Sequence, residues 1–304
     1  MNNIFYKIIY VLKKPNIIFD KIFCIPLIPD HIVIKYQYKI KTGKKLNIAN
    51  PVLYNEKLQW LKLNNKKPEY SEMIDKYEVR KFVAHTIGEE YLIPLLGVWE
   101  SFDEIPFDTL PQQFVLKCTH DSGSFIICHN KDLLNIPMVR NMFNKKISRN
   151  YYWKTREWAY KNINPRIIAE KLMTDESGYE LKDYKIYCFN GEPKIIQVDF
   201  NRHNIDHKVN YYSPELEYQP FSHVKQTDPE VSIPKPQCLE QMLFLAKTLS
   251  ASIIHVRVDM HVINNRIYFG ELTFYDWAGY GNFDPPEWDR IFGDWIILPS
   301  QLEN

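Results

Sequence analysis

Several segments of the chain repeat apolar and polar positions with helical spacing. Asn50-Pro51 supplies a polar N-cap and a first-turn proline, which predicts that a helix begins there. Asp75 and Glu78 have the spacing of a capping box, and the apolar stripe that follows them ends at Gly88. The same spacing predicts helices over 138–161 and 236–250.

Alternating apolar and polar positions, which are typical of strands, appear from residue 91 onward. Asn190-Gly191 lies between two such runs and predicts a tight hairpin turn. Helices and strands mixed in this order indicate an α+β protein. The alternation predicts strands over 91–98, 113–118, 124–128, 165–173, 183–189 and 194–200.

Residues 253–274 form two alternating runs around an Asn-Asn pair and predict a β-hairpin. A two-residue loop would place Glu271 opposite Val258 on the apolar face, where a carboxylate loses its hydration. We therefore expect a three-residue loop over 264–266. The polar face is then expected to carry Arg257, Asp259, His261, Phe269, Glu271 and Thr273, and the apolar face Val256, Val258, Met260, Val262, Tyr268, Leu272 and Phe274.

The expected register sets Asp259 directly opposite Glu271. Two carboxylates on neighbouring strands repel each other unless a cation offsets their charge. Hard oxygen ligands with open positions for phosphate oxygens suit Mg²⁺ bound to a nucleotide. Arg257, on the same face, can hold a carboxylate or a developing oxyanion. A solvated face on which Arg257 screens both acids explains the pattern equally well.

Two further groups of residues have the chemistry of a nucleotide site. Lys117 ends a predicted strand and precedes a small polar loop, 118–124, whose backbone N–H groups can surround phosphates. Glu170 follows an apolar strand, where it can accept a hydrogen bond from an adenine amino group, and Asp183 can hold ribose hydroxyls. Ordinary turns and exposed strand ends are the alternative explanations. The chain has neither a P-loop nor a dinucleotide-binding glycine motif.

Composition excludes several classes of protein. The 304 residues include 38 Lys+Arg and 37 Asp+Glu, so we expect no nucleic-acid partner, which would call for a strong basic excess. Aromatic residues make up 14%, which argues against disorder. Five widely spaced cysteines indicate neither disulfides nor a zinc site. With no apolar run long enough to span a bilayer, we expect a cytoplasmic protein.

Charge is concentrated at the N-terminus, where residues 1–45 hold nine lysines against two acids. A basic segment rich in apolar residues can lie on an anionic membrane surface, which predicts peripheral contact with the inner face of the plasma membrane. The alternative is an amphipathic segment that packs on the body of the protein with its lysines in water.

Over about residues 50–298 the chain resembles the TupA-like branch of the ATP-grasp enzymes, named for teichuronopeptide biosynthesis. The resemblance implies an ATP-grasp fold, with a nucleotide clamped between two α+β lobes, and ATP and Mg²⁺ as cofactors. It also implies a catalytic region over 50–300, divided near 50–110, 111–173 and 174–300, and the basic, apolar-rich segment over 1–49 precedes this region. The matching blocks, in order, are NPVLYNEKLQWLKL, IDKYEVRKFV, IGEEYLIPLLGVW, LPQQFVLKCTHDSGS, IIAEKL, LKDYKIYCFNGEPKII, RVDM and FGELTF.

The resemblance also implies roles for individual residues. The phosphate-binding residues are Lys76, Lys117 and the loop residues Ser122, Gly123 and Ser124, and the adenine and ribose contacts are Glu170, Lys171, Leu172, Asp183 and Lys185. The magnesium ligands are Asp259, Glu271 and Thr273, and the catalytic residues are Arg257 and Lys117. Thr273 is a departure, because relatives commonly have Asn at this position.

The implied reaction is the ATP-dependent ligation of a carboxylate to an amine through an acyl-phosphate. By the same resemblance, the carboxylate belongs to a uronic acid of a surface polysaccharide or its precursor, and the amine is an amino acid or similar small amine. A glycosyltransferase of the same pathway is the alternative, although the chain lacks the Asp-x-Asp pair of such enzymes. A glycan-binding module without catalysis is a third possibility.

Overall fold

The computed structural model describes residues 28–174, 182–200, 207–231 and 233–299. These residues form eight α-helices and eleven strands. The helices are α1 (Asp30–Thr42), α2 (Tyr54–Asn64), α3 (Glu69–Ile74), α4 (Val79–Thr86), α5 (Ile136–Ile147), α6 (Tyr152–Thr155), α7 (Leu239–Ser250) and α8 (Glu287–Trp295). The strands are β1 (Leu95–Trp99), β2 (Phe114–Cys118), β3 (Phe125–Cys128), β4 (Ile167–Lys171), β5 (Lys182–Phe189), β6 (Glu192–Phe200), β7 (Lys208–Tyr212), β8 (Ser222–His223), β9 (His255–Ile263), β10 (Arg266–Thr273) and β11 (Phe283–Asp284).

The larger sheet has five antiparallel strands in the order β10-β9-β5-β6-β7. Alternate residues of β9, among them Val256, Val258 and Met260, are fully buried with Met242 of α7 in one core. Helices α2, α3 and α4 contribute to the same core. The residues between the apolar ones form a second, polar face, so the period of two in the sequence separates core from site.

The smaller sheet has four antiparallel strands in the order β1-β4-β2-β3. Phe114 and Leu116 of β2 pack with Phe143 of α5 in a separate core. Val115 and Lys117 lie on the opposite face of β2, since successive side chains of a strand point to opposite faces. The sequence places 50–110 in one subdomain; in the structure, α2–α4 share the core of the larger sheet, whereas β1 belongs to the smaller one.

The β9–β10 hairpin differs from expectation in its loop. The loop has two residues, with Arg266 paired to Ile263, and not the three that the sequence analysis favoured. A β-bulge between Phe269 and Glu271 then shifts the register by one residue, so Glu271 does face Asp259 and Thr273 faces Arg257. The bulge is what keeps the carboxylate off the apolar face. Because the shift comes late in the strand, Phe269 pairs with Met260 in the core, and Tyr268 pairs with His261 on the polar face, the reverse of the prediction.

Other boundaries shift for local reasons. The first predicted helix starts at Tyr54 and not at Asn50-Pro51. The Glu56 carboxylate accepts hydrogen bonds from the backbone N–H groups of Val52 and Leu53, the two residues before the helix, and so caps it there. Asp75 accepts from two backbone N–H groups but opens a turn, and α4 begins at Val79. The helical segments predicted over 138–161 are α5, which begins after an Asn135 N-cap, and the short α6.

The predicted hairpin turn at Asn190-Gly191 is confirmed, and both residues have positive φ angles, 49° and 82°. Among the described residues, no helix is long and apolar enough to cross a bilayer. Much of the basic segment 1–45 lies outside the described residues. Its described part includes α1, whose Val33 and Ile34 are buried while Lys35 and Lys39 are exposed.

Candidate active site

The polar face of the larger sheet brings most of the predicted metal and catalytic residues together. Glu271 of β10 pairs with Asp259 of β9, which pairs in turn with Lys185 of β5. In the next row, Thr273 pairs with Arg257. Asp259, Lys185 and Arg257 are each at least 92% buried in the fold, with exposures of 4%, 5% and 8%. Charged groups with so little water around them interact strongly.

Arg257 is the centre of this face. Its guanidinium donates two hydrogen bonds of 2.7 Å to the two oxygens of Asp259 and a third to Asp276. Its Nη2 donates to the Thr273 hydroxyl at 3.2 Å and lies 3.7 Å from Glu271 Oε1. The Thr273 hydroxyl in turn donates to Glu271 at 3.3 Å. One cation therefore holds both predicted metal carboxylates.

The two buried carboxylates on Arg257 differ in acidity. Burial raises the pKa of Asp259 to about 7, although Arg257 lowers it. Burial also acts to raise the pKa of Asp276, but Arg257 and hydrogen bonds from His223 and Tyr187 outweigh it and lower that pKa below its usual value. Asp276 is thus the fixed anion of the pair, and Asp259 is the one that gains most from a further cation.

A second buried ion pair lies beside the first. Lys185 donates to Asp183 and, at 2.8 Å, to Asp199. Burial lowers the pKa of Lys185, but the nearby acids Asp183, Asp259 and Asp199 outweigh it and raise that pKa. Asp183 also lies 3.5 Å from a ring nitrogen of His261. Asp183 and Lys185, which the sequence analysis expected to touch nucleotide, here hold each other with 2% and 5% exposure.

The charge on this face fits a divalent cation. Lys185 pairs with two carboxylates of this face, and Arg257 pairs with three more. The side chain of Glu271 is 46% exposed, so it can bind a metal from solvent. Within the described ranges, no three His, Cys, Asp or Glu side chains form a metal cluster. The five carboxylates that Lys185 and Arg257 contact on this face are Asp183, Asp199, Asp259, Glu271 and Asp276.

The predicted phosphate residues meet at the loop after β2. The Lys76 ammonium donates to the Asp121 carbonyl, and the Lys76 backbone N–H donates to the Thr119 carbonyl at 3.2 Å. Ser122 and Gly123 at the tip are exposed, and Gly123 has a positive φ of 86° that favours glycine. Lys76 and the loop, 43 or more residues apart in the chain, are therefore neighbours. The third predicted loop residue, Ser124, is buried and donates to the Asp121 carboxylate.

Lys117 and Glu170 are also neighbours. Lys117 of β2 donates to Glu170 of β4 at 2.7 Å, and Arg80 of α4 donates to the other Glu170 oxygen at 3.3 Å. Glu170 is thus held by cations from both lobes. Lys171 and Leu172 differ from it: Lys171 points to the opposite face of β4 and is exposed, and Leu172 lies just beyond the strand and is half-buried.

Several site residues were missed by the sequence analysis. Tyr187 has the same strand parity as the predicted residues Asp183 and Lys185, and its hydroxyl lies 2.8 Å from Asp276, so alternation could have identified it. Arg80 and Arg166 had no such signal. Arg166 pairs with Glu78 at 2.9 Å and with Asp75 at 3.4 Å beside Lys76, contacts that join distant parts of the chain.

The described residues thus combine a polar sheet face that carries paired acids with a smaller lobe that carries Lys117 and the loop after β2. The chain belongs to the TupA-like ATP-grasp family, because residues 56–297 match the model of that family. It is therefore an α+β enzyme with the ATP-grasp fold, and the ATP-grasp family is one of carboxylate-amine ligases. No curated protein sequence matched the chain.

Solved structures with similar folds are distant. D-alanine–D-alanine ligase from Bacillus anthracis complexed with ATP is 17% identical with a TM-score of 0.44, covering 76% of this chain and 67% of that one. The ATP-grasp ligase PsnB with its minimal precursor is 11% identical with a TM-score of 0.42, covering 81% and 67%. An ADP complex of N5-carboxyaminoimidazole ribonucleotide synthetase is 14% identical with a TM-score of 0.39, covering 72% and 50%. The family assignment rests on the sequence match.

Proposed function

We propose that the enzyme joins an amino acid or other small amine to a uronic acid of a bacterial surface polysaccharide or its precursor. The reaction proceeds through an acyl-phosphate at the inner face of the plasma membrane. Membership of the TupA-like family supports the ligase class. The observation that carries the proposed site is the pairing of Asp259 with Glu271 around Arg257, because it provides two hard oxygen ligands beside a fixed cation.

ATP is proposed to lie between the two sheets. Lys76, the loop at Ser122-Gly123 and Lys117 provide positive charge and N–H groups for its phosphates. Glu170, held by Lys117 in the structure, is the proposed partner of the adenine amino group. When nucleotide binds, Lys117 exchanges this contact for phosphate in our proposal.

Asp259 and Glu271 are the proposed ligands of Mg²⁺, and Thr273 orients Glu271 through its hydroxyl. Bound Mg²⁺ supplies charge neutralisation at the phosphates of ATP. Arg257 holds Asp259 in place through two hydrogen bonds. Its Nη2 lies 3.7 Å from Glu271, and in our proposal it also stabilises the charge on the γ-phosphoryl group during transfer. Most of the catalytic effect expected here is positioning and charge stabilisation.

The chemistry has two steps. A carboxylate oxygen of the uronic acid attacks the γ-phosphorus of ATP, the bond from that phosphorus to the β–γ bridging oxygen breaks, and ADP leaves. The amine nitrogen then attacks the carbonyl carbon of the acyl-phosphate, the bond from carbon to the phosphate oxygen breaks, and phosphate leaves. The amine loses its proton to solvent. Because both attacking atoms belong to the substrates, the site needs no nucleophilic side chain.

Hydroxylamine tests this reaction without knowledge of the natural amine. It reacts with an acyl-phosphate to give a hydroxamate, which can be measured directly. With ATP, Mg²⁺ and glucuronate oligosaccharides, we expect the wild type to form hydroxamate and Glu271→Gln to form it roughly 100-fold more slowly, since a lost charge-stabilising contact costs that much.

Glu192→Gln is the matched control, because Glu192 is an exposed carboxylate of the same sheet that pairs with Lys247 away from the polar face. It should retain wild-type activity. Hydroxamate formation at the wild-type rate in Glu271→Gln would contradict the metal assignment, and no hydroxamate with any uronate would contradict the proposed substrate.

A further inference from the structure

A cavity of ≈ 520 Å³ is lined by residues that do not belong to the polar face of the larger sheet. The β8–β11 pair forms one side of it, and the turn after β10 forms another. Its volume is in the range of small-molecule binding sites. Its lining includes Lys41, Ser222, Lys225, Trp277, Asn282 and Asp284.

The cavity is joined to the polar sheet face by one peptide bond. Trp277 lines the cavity, and the residue before it, Asp276, holds Arg257. His223, between the lining residues Ser222 and Val224, lies 3.2 Å from the Asp276 carboxylate. Two residues that hold or contact the Arg257 network, Asp276 and His223, are therefore direct chain neighbours of residues that line the cavity.

Trp277 is held in a strained conformation that exposes its ring. Trp277 and Ala278 both have positive φ angles, 48° and 54°, and Trp277 is 47% exposed. Two buried side chains of α2 fix this turn: Lys62 donates to the Ala278 carbonyl at 2.7 Å, and Gln59 donates to the Gly279 carbonyl at 2.7 Å. Strain of this kind persists only where the surrounding structure enforces it, and it is concentrated at functional sites.

The charges and polar groups of the cavity suit an acidic sugar. The lining includes the cations Lys225 and Lys41, the second of which also lies 4.6 Å from the centroid of the Tyr280 ring, and the carboxylate of Asp284. Within the part of the chain that the structure describes, Lys225 makes no ion pair. An exposed indole face packs on the apolar face of a sugar ring, and Ser222 and Asn282 can hydrogen-bond with hydroxyl groups.

We propose that this cavity is the acceptor subsite, which binds a sugar that carries a carboxylate. Trp277 packs on the ring, and Lys41 and Lys225 bind acidic groups of the glycan. This proposal rests on the proposed function, because it assigns the uronic acid substrate of that reaction to one cavity. It predicts that sugar binding and nucleotide binding depend on different residues.

The test is a titration of the protein with sugar probes in the presence of ADP and Mg²⁺, in which saturation-transfer NMR measures the binding of each probe. The probes are methyl glucuronide, the neutral methyl glucoside and glucose 1-phosphate. We expect the wild type to prefer methyl glucuronide, and Trp277→Ala to bind it roughly tenfold more weakly. Lys225→Gln should lose roughly tenfold of the preference for glucuronide over glucoside. Phe244→Ala, which removes a 67% exposed aromatic ring of α7, is the control and should bind like the wild type.

Thermal stabilisation by ADP and Mg²⁺ is measured on every variant to separate the two proposals. If Trp277→Ala keeps both its stabilisation by ADP and Mg²⁺ and its affinity for methyl glucuronide, the subsite assignment is wrong and the ligase proposal stands. Stronger binding of glucose 1-phosphate than of methyl glucuronide, or no binding of any probe, would also overturn the subsite. If ADP and Mg²⁺ do not stabilise the wild type at all, the proposed function itself is wrong.

Discussion

Arg257 connects several residues of the polar face, because it donates hydrogen bonds to Asp259, Asp276 and Thr273. It is a single buried cation between two buried carboxylates, Asp259 and Asp276, and its planar guanidinium donates to both. Lysine could not replace it, because an ammonium group lacks the fork of donors that binds one carboxylate twice. Alternation along β9 predicts that Arg257 and Asp259 share one face, but it carries no information on the contact of Arg257 with Asp276.

Removal of this cation should destabilise the fold. Arg257→Met leaves two buried carboxylates without their partner, and we expect the free energy of unfolding to fall by about 3–5 kcal/mol. Urea unfolding measures this change. Arg290→Met is the matched control, because Arg290 pairs with Asp294 on the surface of α8, and its loss should cost about 0–1 kcal/mol. Similar small losses in both variants would show that the buried network contributes little.

His255 should make stability depend on pH. Burial lowers the pKa of His255 from 6.5 to about 4, against the raising effect of the Cys188 carbonyl. The unfolded chain therefore binds the proton more tightly, so stability falls as the pH drops from about 6.5 to about 4, by up to about 3 kcal/mol. His255→Gln can keep the contacts with Tyr54 and Cys188 but cannot titrate.

Urea unfolding at several pH values between 7 and 4.5 tests this prediction. The stability of the wild type should fall more steeply with acidification than that of His255→Gln. Parallel slopes for the two proteins would mean that His255 does not stay neutral in the fold.

At the scale of elements, the β9–β10 hairpin shows how far a sequence pattern can go. The facing pair Asp259 and Glu271 was predicted, but from a three-residue loop that the structure does not have. Alternation gives the parity of residues within a strand, whereas a bulge changes parity without any change in apolar composition. The bulge at Gly270 therefore could not be predicted from the pattern, and Tyr268 and Phe269 were assigned to the wrong faces.

The bulge should control metal binding. A Cβ at Gly270 would lie 3.0 Å from the Asp259 carbonyl oxygen and 3.1 Å from His261 Nε2, so these neighbours must give way by a few tenths of an ångström. We expect Gly270→Ala to lower stability by about 1–3 kcal/mol and to raise the Mg²⁺ concentration needed for stabilisation by nucleotide, because Glu271 is displaced.

Ile267→Val is the control in the same strand. It removes one buried methyl group, with an expected loss of about 0.5–1.5 kcal/mol, but leaves Glu271 in place. A Mg²⁺ requirement that is equal in the two variants would show that the bulge does not position Glu271.

At the scale of the whole molecule, the two lobes meet through contacts between distant residues. Glu170 of the smaller lobe is held by Arg80 of the larger one, and Lys76 reaches the loop after β2. Local periodicity carries no information on such contacts, so residue patterns predicted the elements and the α+β class but not how the lobes join. The ordered family blocks, which the match over 56–297 confirms, supplied the fold.

The most direct test of the central claim is thermal stabilisation by nucleotides. ATP, ADP and a panel of UDP- and GDP-sugars are compared, each with and without Mg²⁺, on the wild type and Glu271→Ala. A ligand at about 100 times its dissociation constant adds about 2.7 kcal/mol of stability. We predict that only adenine nucleotides stabilise the protein, and that the increment due to Mg²⁺ disappears in Glu271→Ala. Stabilisation by nucleotide sugars and not by ATP would contradict the ligase account and favour a glycosyltransferase.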